Sequence, residues 1–451
     1  MLLIAPHDPG YDDSRKVWNG AIDRRPALIA RCADTDDVIE ALRLAREREL
    51  EIAVRGGGHG VAGLAVNDDG LVIDLSPMKA IAVDPERSTA SAGPGVLWGE
   101  LDAATQEHGL ATVGGIVTHT GIAGLTLGGG IGWLMRRHGA TVDNFVSAQV
   151  VTPDGAVMEA DDELMWGLRG GGGNFGIVTR FDYRLHRVGP TVLAGPIYYA
   201  LEDAPEVLRR YRDFIATAPD ELTTILNLRH APPLPVLPPE LHGRPVAAVT
   251  ACWAGDPESG EATVAELRHL GHPLIDLAGP RPYQALQRMF DPAVPHGWHY
   301  YWKSWEVPPL MDATIDTLVE QAGRITSPRS YIIVFQLGGA MARVGELDTA
   351  FGQRSEGHDV NINAVWLPED RDGADHIAWA REAFAALEEQ SSGRVYVNFL
   401  GDEGADRVRA AYGPERYERL AALKREYDPG NLLRGNQNVE PAPLYAARGR
   451  R

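Results

Sequence analysis

Short apolar runs alternate with one amphipathic segment at the start of the chain, a pattern that predicts a β–α–β arrangement. The runs at 27–30 and 52–54 have strand length, and the segment from Thr35 to about Arg48 between them has helical periodicity behind acidic residues. Because a helix connects the two strands, we expect them to run parallel in one sheet. The apolar positions of this helix are Val38, Ile39, Leu42 and Ala45.

The pattern changes near Pro190. Before it, we predict further short strands at 71–75, 81–83 and 89–92, a helix at 97–104 and a hairpin at 146–160. After it, strands dominate as far as Glu389, with apolar runs at 224–228, 246–250, 331–335 and 361–366. The fold class is therefore α+β, with a broad antiparallel sheet in the second region and a strand, a helix and an Asn-rich end over 394–441.

Composition narrows the classes of function. The chain of 451 residues carries a formal net charge of −19, which disfavours nucleic acid and anionic membranes, since both need clustered basic charge. Two distant cysteines, Cys32 and Cys252, predict buried free thiols and neither a disulfide framework nor a zinc site. No signal peptide or membrane-spanning run is evident, so we expect a soluble cytoplasmic protein. We expect it to be a monomer or a homodimer.

Three glycine clusters carry the strongest chemical signal. They lie at 55–60, where His59 stands among the glycines, at 128–132 and at 170–176. Glycine lets the backbone approach a ligand closely, and successive loop amides form an anion-binding concavity. We therefore predict a cradle for one large, phosphate-bearing cofactor. Residues 58–63 also match the dinucleotide pattern G-x-G-x-x-G, but a turn and a strand follow where a helix is required, which disfavours a Rossmann domain.

Residues 55–59, 121–132, 169–179 and 427–431, in this order, resemble the FAD-linked oxidases of the berberine bridge enzyme type, within the p-cresol methylhydroxylase superfamily. The resemblance implies an FAD-binding domain made of residues 1–190 and 394–451, with a substrate domain, residues 191–393, inserted between them. It also implies a covalent bond from His59 to the flavin 8α-methyl group. A loop histidine hydrogen-bonded to backbone is the alternative. Val117 stands where many relatives carry a second flavin-linked cysteine, so that second link is not expected.

The same resemblance assigns the cofactor contacts. Thr120 falls beside the reactive face of the flavin and, with Val117 and Leu125, could line a small pocket that influences oxygen access; a turn-stabilising hydroxyl is equally compatible. His119 is a candidate for the flavin or its phosphate edge, or for a structural role. The predicted FAD-binding residues are Arg55, Gly56, Gly57, Gly58, His59, Gly60, Val117, Thr118, His119, Thr120, Gly121, Gly124, Gly128, Gly130, Gly132, Asn174, Gly176, Ile177, Val178, Asn436 and Asn438.

Hydride transfer to a flavin is usually helped by a base that removes a nearby proton. Residues 334–340, a strand comparable to the one that carries carboxylates in some relatives, offer only Gln336. The remaining candidates are Tyr396, the leading base, and Asn398 on a predicted strand at 395–399, and Tyr301 and Lys303 on a predicted strand at 299–305. A packed core phenol and an ion-paired lysine are the structural alternatives. The histidine pairs 269/272 and 296/299 lack a third ligand, so no metal site is predicted.

These observations predict an FAD-dependent oxidase that removes hydride from a hydrophobic or aromatic small molecule in specialised metabolism and passes the electrons to O2, releasing hydrogen peroxide. Tyr300, Tyr301, Trp302 and Trp366 suit a mostly apolar pocket. Two alternatives remain: an oxygenase that retains oxygen on the flavin N5, and a flavin-binding protein without turnover. A nicotinamide dehydrogenase is disfavoured.

Overall fold

The computed structural model describes residues 1–443, beginning with a four-stranded sheet. The strands lie in the order β1-β2-β4-β3, and β2 and β3 each pair in parallel with β4, so the predicted parallel arrangement is confirmed with a third strand between the two. The elements are β1 (Leu2–Ile4), α1 (Tyr11–Ser14), β2 (Leu28–Arg31), α2 (Thr35–Glu47), β3 (Ile52–Arg55) and β4 (Leu71–Asp74).

Helix α2 begins where the sequence predicts. The carboxylate of Asp34 accepts a hydrogen bond of 3.0 Å from the backbone N–H of Asp37, which satisfies one of the free donors of the first turn. Val38, Leu42 and Ala45 are buried against the sheet, whereas Ile39 is only partly buried. The helix thereby covers one face of the sheet whose strand β3 leads into the first glycine loop.

A second, antiparallel sheet follows, in the order β5-β6-β10-β8-β9, and the predicted hairpin at 146–160 is its β8–β9 edge. Two short strands, β7 and β11, pair separately. The elements are β5 (Ile81–Asp84), β6 (Thr89–Ala92), α3 (Trp98–Gln106), β7 (Leu110–Ala111), α4 (Ile122–Leu127), α5 (Met135–His138), α6 (Thr141–Asn144), β8 (Phe145–Val151), β9 (Val157–Glu159), α7 (Asp162–Leu168), β10 (Ile177–Arg184) and β11 (His186–Arg187).

The largest sheet is antiparallel and has eight strands, as the predicted fold class requires. Its main path runs β15-β12-β14-β13-β18-β19-β17, and β16 pairs with β12. One face packs against helices in an apolar core; the other faces the glycine loops. The elements are β12 (Thr191–Ala200), α8 (Ala204–Ile215), β13 (Leu222–His230), β14 (Pro245–Trp253), α9 (Pro257–Arg268), β15 (Ile275–Asp276), β16 (Gly279–Pro282), α10 (Tyr283–Gln287), β17 (His299–Val307), α11 (Asp312–Gly323), β18 (Tyr331–Gln336), α12 (Ala340–Arg343), β19 (His358–Trp366) and α13 (Gly373–Ala386).

After α13 the chain returns to its N-terminal part. Helices α14 (Ala405–Tyr412) and α15 (Pro414–Tyr427) share an apolar core with the second sheet and α7, and Gly435 forms a parallel bridge with Ala53 of β3. The strand predicted at 395–399 is wrong, because Val397–Phe399 forms a 3-10 turn. The domain boundaries at 190 and 393 stay a prediction, and the last eight residues of the C-terminal segment, 444–451, lie outside the described residues.

Within residues 1–443, no helix is both long enough and apolar enough to span a lipid bilayer.

Candidate functional site

A cavity of about 380 Å³ lies between the glycine loops and the free face of the largest sheet. The glycine-rich wall comes from 56–62, 115–117, 120–128, 172–174 and 176–178, with gaps. The sheet wall carries Trp302 from β17, Tyr331, Ile333 and Phe335 from β18, and Asn361 and Asn363 from β19. Residues 396–400 and 435–437 of the C-terminal segment close the space between the walls.

The first glycine cluster contacts the backbone of Gly121, the residue that precedes helix α4. A β-carbon on Gly57 would lie 2.5 Å from the α-carbon of Gly121, and one on Gly121 would lie 2.5 Å from the nitrogen of Gly57. Only glycine at both positions allows this contact. By contrast, β-carbons on Gly60, Gly124 and Gly173 would meet no atom within 4 Å. The loops therefore combine a fixed backbone junction with free space beside it.

His59 stands at the end of this wall, with its ring stacked on Trp18 at a centroid distance of 4.2 Å. Trp18 is fully buried, and its backbone N–H donates to the carbonyl of Gly58. The Nε2 atom of His59 is buried without a hydrogen-bond partner among the described residues. Burial lowers the pKa of His59 well below its usual value, and the neighbouring His119 and His296 lower it further. At neutral pH the ring is therefore an uncharged imidazole, able to act as a nucleophile.

Most of the predicted cofactor-binding residues meet at this cavity. Those that line it are Gly56, Gly57, Gly58, His59, Gly60, Val117, Thr120, Gly121, Gly124, Gly128, Asn174, Gly176, Ile177, Val178 and Asn436. Six others do not: Arg55, Thr118, His119, Gly130, Gly132 and Asn438.

Arg55 and Thr118 contact protein instead of the cavity. The guanidinium of Arg55 pairs with the buried carboxylate of Asp74 at 2.8 Å and donates to the carbonyl of Ser14, so it holds the end of β3 in place. The backbone N–H of Thr118 donates to Asp291 at 2.8 Å, and its hydroxyl donates to the same carboxylate at 2.5 Å. For these two residues the expected direct contact with a cofactor is not supported.

The second glycine cluster mainly makes room for other parts of the protein. A β-carbon on Gly128 would lie 2.0 Å from the side-chain oxygen of Asn398, one on Gly130 would lie 2.1 Å from the hydroxyl of Thr141, and one on Gly132 would lie 2.0 Å from a backbone carbonyl. Gly130 and Gly132 therefore act in packing, while Gly128 both lines the cavity and allows Asn398 to approach.

The Asn-rich end is fastened to the third glycine loop. The amide of Asn174 donates to the carbonyls of Gly171 and Gln437 and accepts from the N–H of Val439. Lys424, fully buried, pairs with Asp428 at 2.6 Å and donates to the carbonyl of Asn174 at 2.8 Å. This network gives Asp428, within the 427–431 motif, a structural role. It also positions Asn436, whose side-chain oxygen is buried without a partner among the described residues.

Tyr396 and Asn398 line the cavity together. The Tyr396 hydroxyl accepts from the N–H of Gly130 at 2.7 Å and from the Asn398 amide at 2.8 Å. Burial raises the pKa of Tyr396 strongly, although these two hydrogen bonds oppose the rise. Tyr396 is therefore a phenol at neutral pH that retains one hydrogen to donate, and a resting phenolate base is not expected.

The placement of Tyr301 and Lys303 does not support their predicted catalytic role. The two alternate with Tyr300 and Trp302 on β17, so they lie on the opposite face of the sheet, toward the helices. Lys303 forms an ion pair of 2.7 Å with Glu403, and the Tyr301 hydroxyl accepts from Arg381. Trp366 also packs in the helix-side core, and Tyr300 stacks on Trp18, so only Trp302 of the four predicted pocket aromatics lines the cavity.

Sequence reasoning missed the polar groups of the sheet wall. Asn361 and Asn363 are almost fully buried and face the cavity, and the side-chain oxygen of Asn361 has no partner among the described residues. Tyr331 faces the same space, and burial raises its pKa to about 12. The alternation of polar and apolar residues along 358–366 is visible in the sequence. Which of the two faces meets the cavity, however, depends on the sheet register.

The electrostatics of the cavity follow from its lining. Among the described residues, no Asp, Glu, Lys or Arg lines it. The buried acceptors without partners, on Asn361 and Asn436, and the unpaired Nε2 of His59 are the polar atoms a ligand can satisfy. The geometry suits a large ligand that follows the glycine wall, with a second, uncharged molecule against the sheet.

Comparison with known proteins gives two family matches. Residues 26–161 match the model for "FAD binding domain", and residues 395–440 match "Berberine and berberine like". The chain is 31% identical to (R)-6-hydroxynicotine oxidase of Paenarthrobacter nicotinovorans, over 97% of this chain and 96% of that protein. It is 30% identical to an FAD-linked oxidoreductase of Dictyostelium discoideum, over 94% of this chain and 91% of that protein.

Two solved structures share the fold of this chain. The crystal structure of 6-hydroxy-D-nicotine oxidase from Arthrobacter nicotinovorans superposes with a TM-score of 0.88 at 30% identity, covering 98% of each chain. Wild-type berberine bridge enzyme-like 1 of Physcomitrella patens shares the fold with a TM-score of 0.86 at 22% identity, over 98% of this chain and 97% of that one.

Proposed function

This chain belongs to the berberine bridge enzyme-like FAD-linked oxidoreductases, and we propose that it is an oxidase that removes hydride from an uncharged, hydrophobic or aromatic small molecule. The observation that carries the proposal is the contrast between a glycine-rich wall ending in His59 and a facing wall of aromatic and amide side chains without charge. Electrons would pass to O2 and give hydrogen peroxide. Specialised metabolism, a cytoplasmic location and a monomeric or dimeric state stay predictions.

FAD fits the residues on the glycine-rich wall. The backbones of Gly56–Gly58, Gly121 and Gly173, the start of β10 and the side chain of Asn436 would hold it, and the uncharged ring of His59 on the same wall would form a single covalent link. Val117 precludes a cysteinyl link at that position, and both cysteines of the chain are buried away from the cavity. When bound, FAD supplies the hydride acceptor and the reaction with oxygen.

The substrate would lie between FAD and the sheet wall. Trp302, Ile333 and Phe335 provide apolar contact, and the amides of Asn361 and Asn363 provide hydrogen bonds. A formal charge on the substrate would be buried without a counter-ion, which costs free energy. An uncharged substrate therefore fits this wall best.

Tyr396 and Asn398 would orient the reacting group. Because the Tyr396 hydroxyl already accepts two hydrogen bonds, its remaining role is to donate a hydrogen bond to a substrate oxygen or nitrogen and so to orient the group that loses hydride. Asn398 keeps the phenol in place through its own bond to the carbonyl of Leu125 at 3.0 Å.

An oxygenase is a second candidate. Val117, Thr120 and Leu125 all line the cavity, which supports a small pocket made by these residues beside the flavin. Such a pocket could retain oxygen near the cofactor and direct it into the substrate.

One experiment tests these alternatives. The purified protein is reduced anaerobically with a panel of neutral aromatic alcohols and amines, and air is then readmitted while absorbance and hydrogen peroxide are measured. If the protein is an oxidase, at least one compound bleaches the flavin absorbance. Air then restores the absorbance at once, with one hydrogen peroxide formed per turnover. Incorporation of labelled oxygen into product, with peroxide missing, would identify the oxygenase. Acid precipitation tests the link: flavin stays in the wild-type pellet and is released from His59→Ala.

A further inference from the structure

Three histidines from different parts of the chain lie close together, and one of them, His59, lines the cavity. The ring centroids of His59 and His119 lie 5.0 Å apart, those of His119 and His296 also 5.0 Å, and those of His59 and His296 6.5 Å. His119 therefore stands between the predicted attachment residue and His296, whose side chain is exposed to solvent.

The surrounding contacts fix this arrangement. Asp291 binds the N–H and hydroxyl of Thr118, next to His119, and Trp18 donates its indole N–H to the carbonyl of Val294 while stacking on His59. The side-chain amide of Asn19 donates to the carbonyl of Tyr300 and accepts from the N–H of Tyr300. The loop before β17 is thus held across His59 by both the N-terminal segment and the loop that carries His119.

The protein leaves the relevant nitrogens free. Both ring nitrogens of His119 and the Nε2 of His59 are buried without partners within residues 1–443. Buried polar atoms without partners are uncommon and call for an explanation such as a catalytic role. Burial lowers the pKa of His119, and the partial burial of the His296 ring lowers the pKa of His296, so both rings are neutral at pH 7. A neutral imidazole keeps one ring nitrogen that can accept a proton.

We propose that His119 accepts the ring proton of His59 when the flavin becomes attached, and that His296 passes this proton to solvent. The inference rests on the proposed His59 link. In that step a bond forms between a His59 ring nitrogen and the 8α carbon. One C–H bond of the methyl group and the N–H bond of His59 break, and two electrons reduce the flavin. The reduced flavin keeps the proton lost from the methyl group; dioxygen then takes up the two electrons, that proton and one proton from solvent as hydrogen peroxide, which restores the oxidised flavin.

The test follows attachment and not turnover. The full chain is produced under riboflavin limitation, FAD is added, and acid-stable flavin fluorescence per protein is recorded over time for the wild type, His119→Ala and His119→Gln. His269→Ala, at an exposed histidine after α9, is the matched control. We expect attachment to slow by about 10²-fold in both His119 variants, in the usual range for loss of a general acid–base group. The control should attach FAD at the wild-type rate.

Chemical rescue separates proton transfer from structure. Free imidazole should restore fast attachment in His119→Ala, where the side chain leaves space, and should have little effect in His119→Gln. Non-covalent FAD binding, read from fluorescence quenching, should persist in both. Attachment at the wild-type rate in His119→Ala, slow attachment without rescue, or loss of FAD binding in both variants would each overturn the proposal. A wild-type protein without acid-stable flavin would instead overturn the His59 link itself.

Discussion

The two walls of the cavity are built in different ways. The glycine-rich wall consists largely of backbone, and its key contact is the junction between Gly57 and Gly121. The sheet wall consists of side chains from β17, β18 and β19, which alternate between the cavity and the helix-side core. A ligand therefore meets peptide groups on one side and a chosen set of aromatic and amide groups on the other.

This difference separates a shared function from a specific one. A backbone wall depends on glycine spacing and much less on the identity of other side chains. A side-chain wall changes with each substitution at a cavity-facing position while the sheet is preserved. Hence we expect the glycine-rich wall to hold the cofactor and the sheet wall to select the substrate.

The largest expected effect comes from breaking the backbone wall. In Gly57→Ala the new methyl group would lie 2.5 Å from the Gly121 backbone, which cannot move as a flexible side chain can. We expect flavin content to fall to about a tenth of wild type or less, since overpacking against backbone costs about 1–3 kcal/mol or more. The measurement is the ratio of flavin to protein absorbance after purification.

Gly323→Ala is the control for that variant. Gly323 is the last residue of helix α11, does not line the cavity, and its β-carbon would meet no atom within 4 Å. This variant should keep the flavin content of the wild type. Equal flavin content in Gly57→Ala and Gly323→Ala would contradict the idea that the loop junction forms the wall.

The next largest effect is on the rate of reduction. Tyr396→Phe removes the hydroxyl that bonds Gly130 and Asn398 at the cavity. We expect the rate constant for anaerobic flavin reduction to fall by about 10²-fold, because the reacting group loses the hydrogen bond that orients it. Tyr301→Phe removes a hydroxyl on the opposite face of the sheet and should leave that rate unchanged. Similar losses in the two variants would show that the face assignment does not predict catalysis.

The glycine-rich wall could be predicted from sequence because its elements are local. Strand β3, the loop to Gly60 and helix α2 follow from short patterns, as does the position of His59. The second glycine cluster was interpreted too simply. Gly130 and Gly132 accommodate Thr141 and a backbone carbonyl, and these neighbours are set by tertiary packing.

The sheet wall could not be predicted to the same extent. Alternation on β17 correctly grouped Tyr301 with Lys303, but it gave no information on which group faces the cavity. That choice depends on the pairing of β17 with β19 and on the helices that cover one face. The same limit hid Asn361 and Asn363, whose buried amides resemble ordinary strand residues in the sequence.

A smaller effect is expected from placing charge on the sheet wall. Asn361→Asp should lower kcat/KM for an uncharged substrate by about tenfold, because a buried carboxylate without a partner opposes binding in a dry cavity. Asn227→Asp, at a buried position of β13 that does not line the cavity, should reduce stability without changing kcat/KM. Matching losses of kcat/KM in both variants would argue against an uncharged substrate site at Asn361.

The smallest effect concerns the polar groups next to that wall. Asp359 precedes Asn361 on the same face of β19, fully buried, and accepts from the Ser304 hydroxyl at 2.9 Å and the Gln353 amide at 2.7 Å. Burial raises the pKa of Asp359 from 3.8 to about 7, although both hydrogen bonds oppose the rise. Between these two values the folded protein holds a proton that the unfolded chain has released, so its stability falls as pH rises and levels off above about 7.

Asp359→Asn should remove this contribution. Relative to wild type, the variant should gain unfolding temperature steadily from about pH 4 to 7 and no further, with a slope of at most about 1.4 kcal/mol per pH unit and a total of a few degrees. Differential scanning fluorimetry of both proteins across this range gives the difference directly. Subtracting the two curves cancels Asp102, a buried carboxyl between α3 and α10 whose pKa burial also raises to about 7. A flat difference curve would mean that Asp359 titrates like an exposed carboxyl and that the region beside the sheet wall admits water.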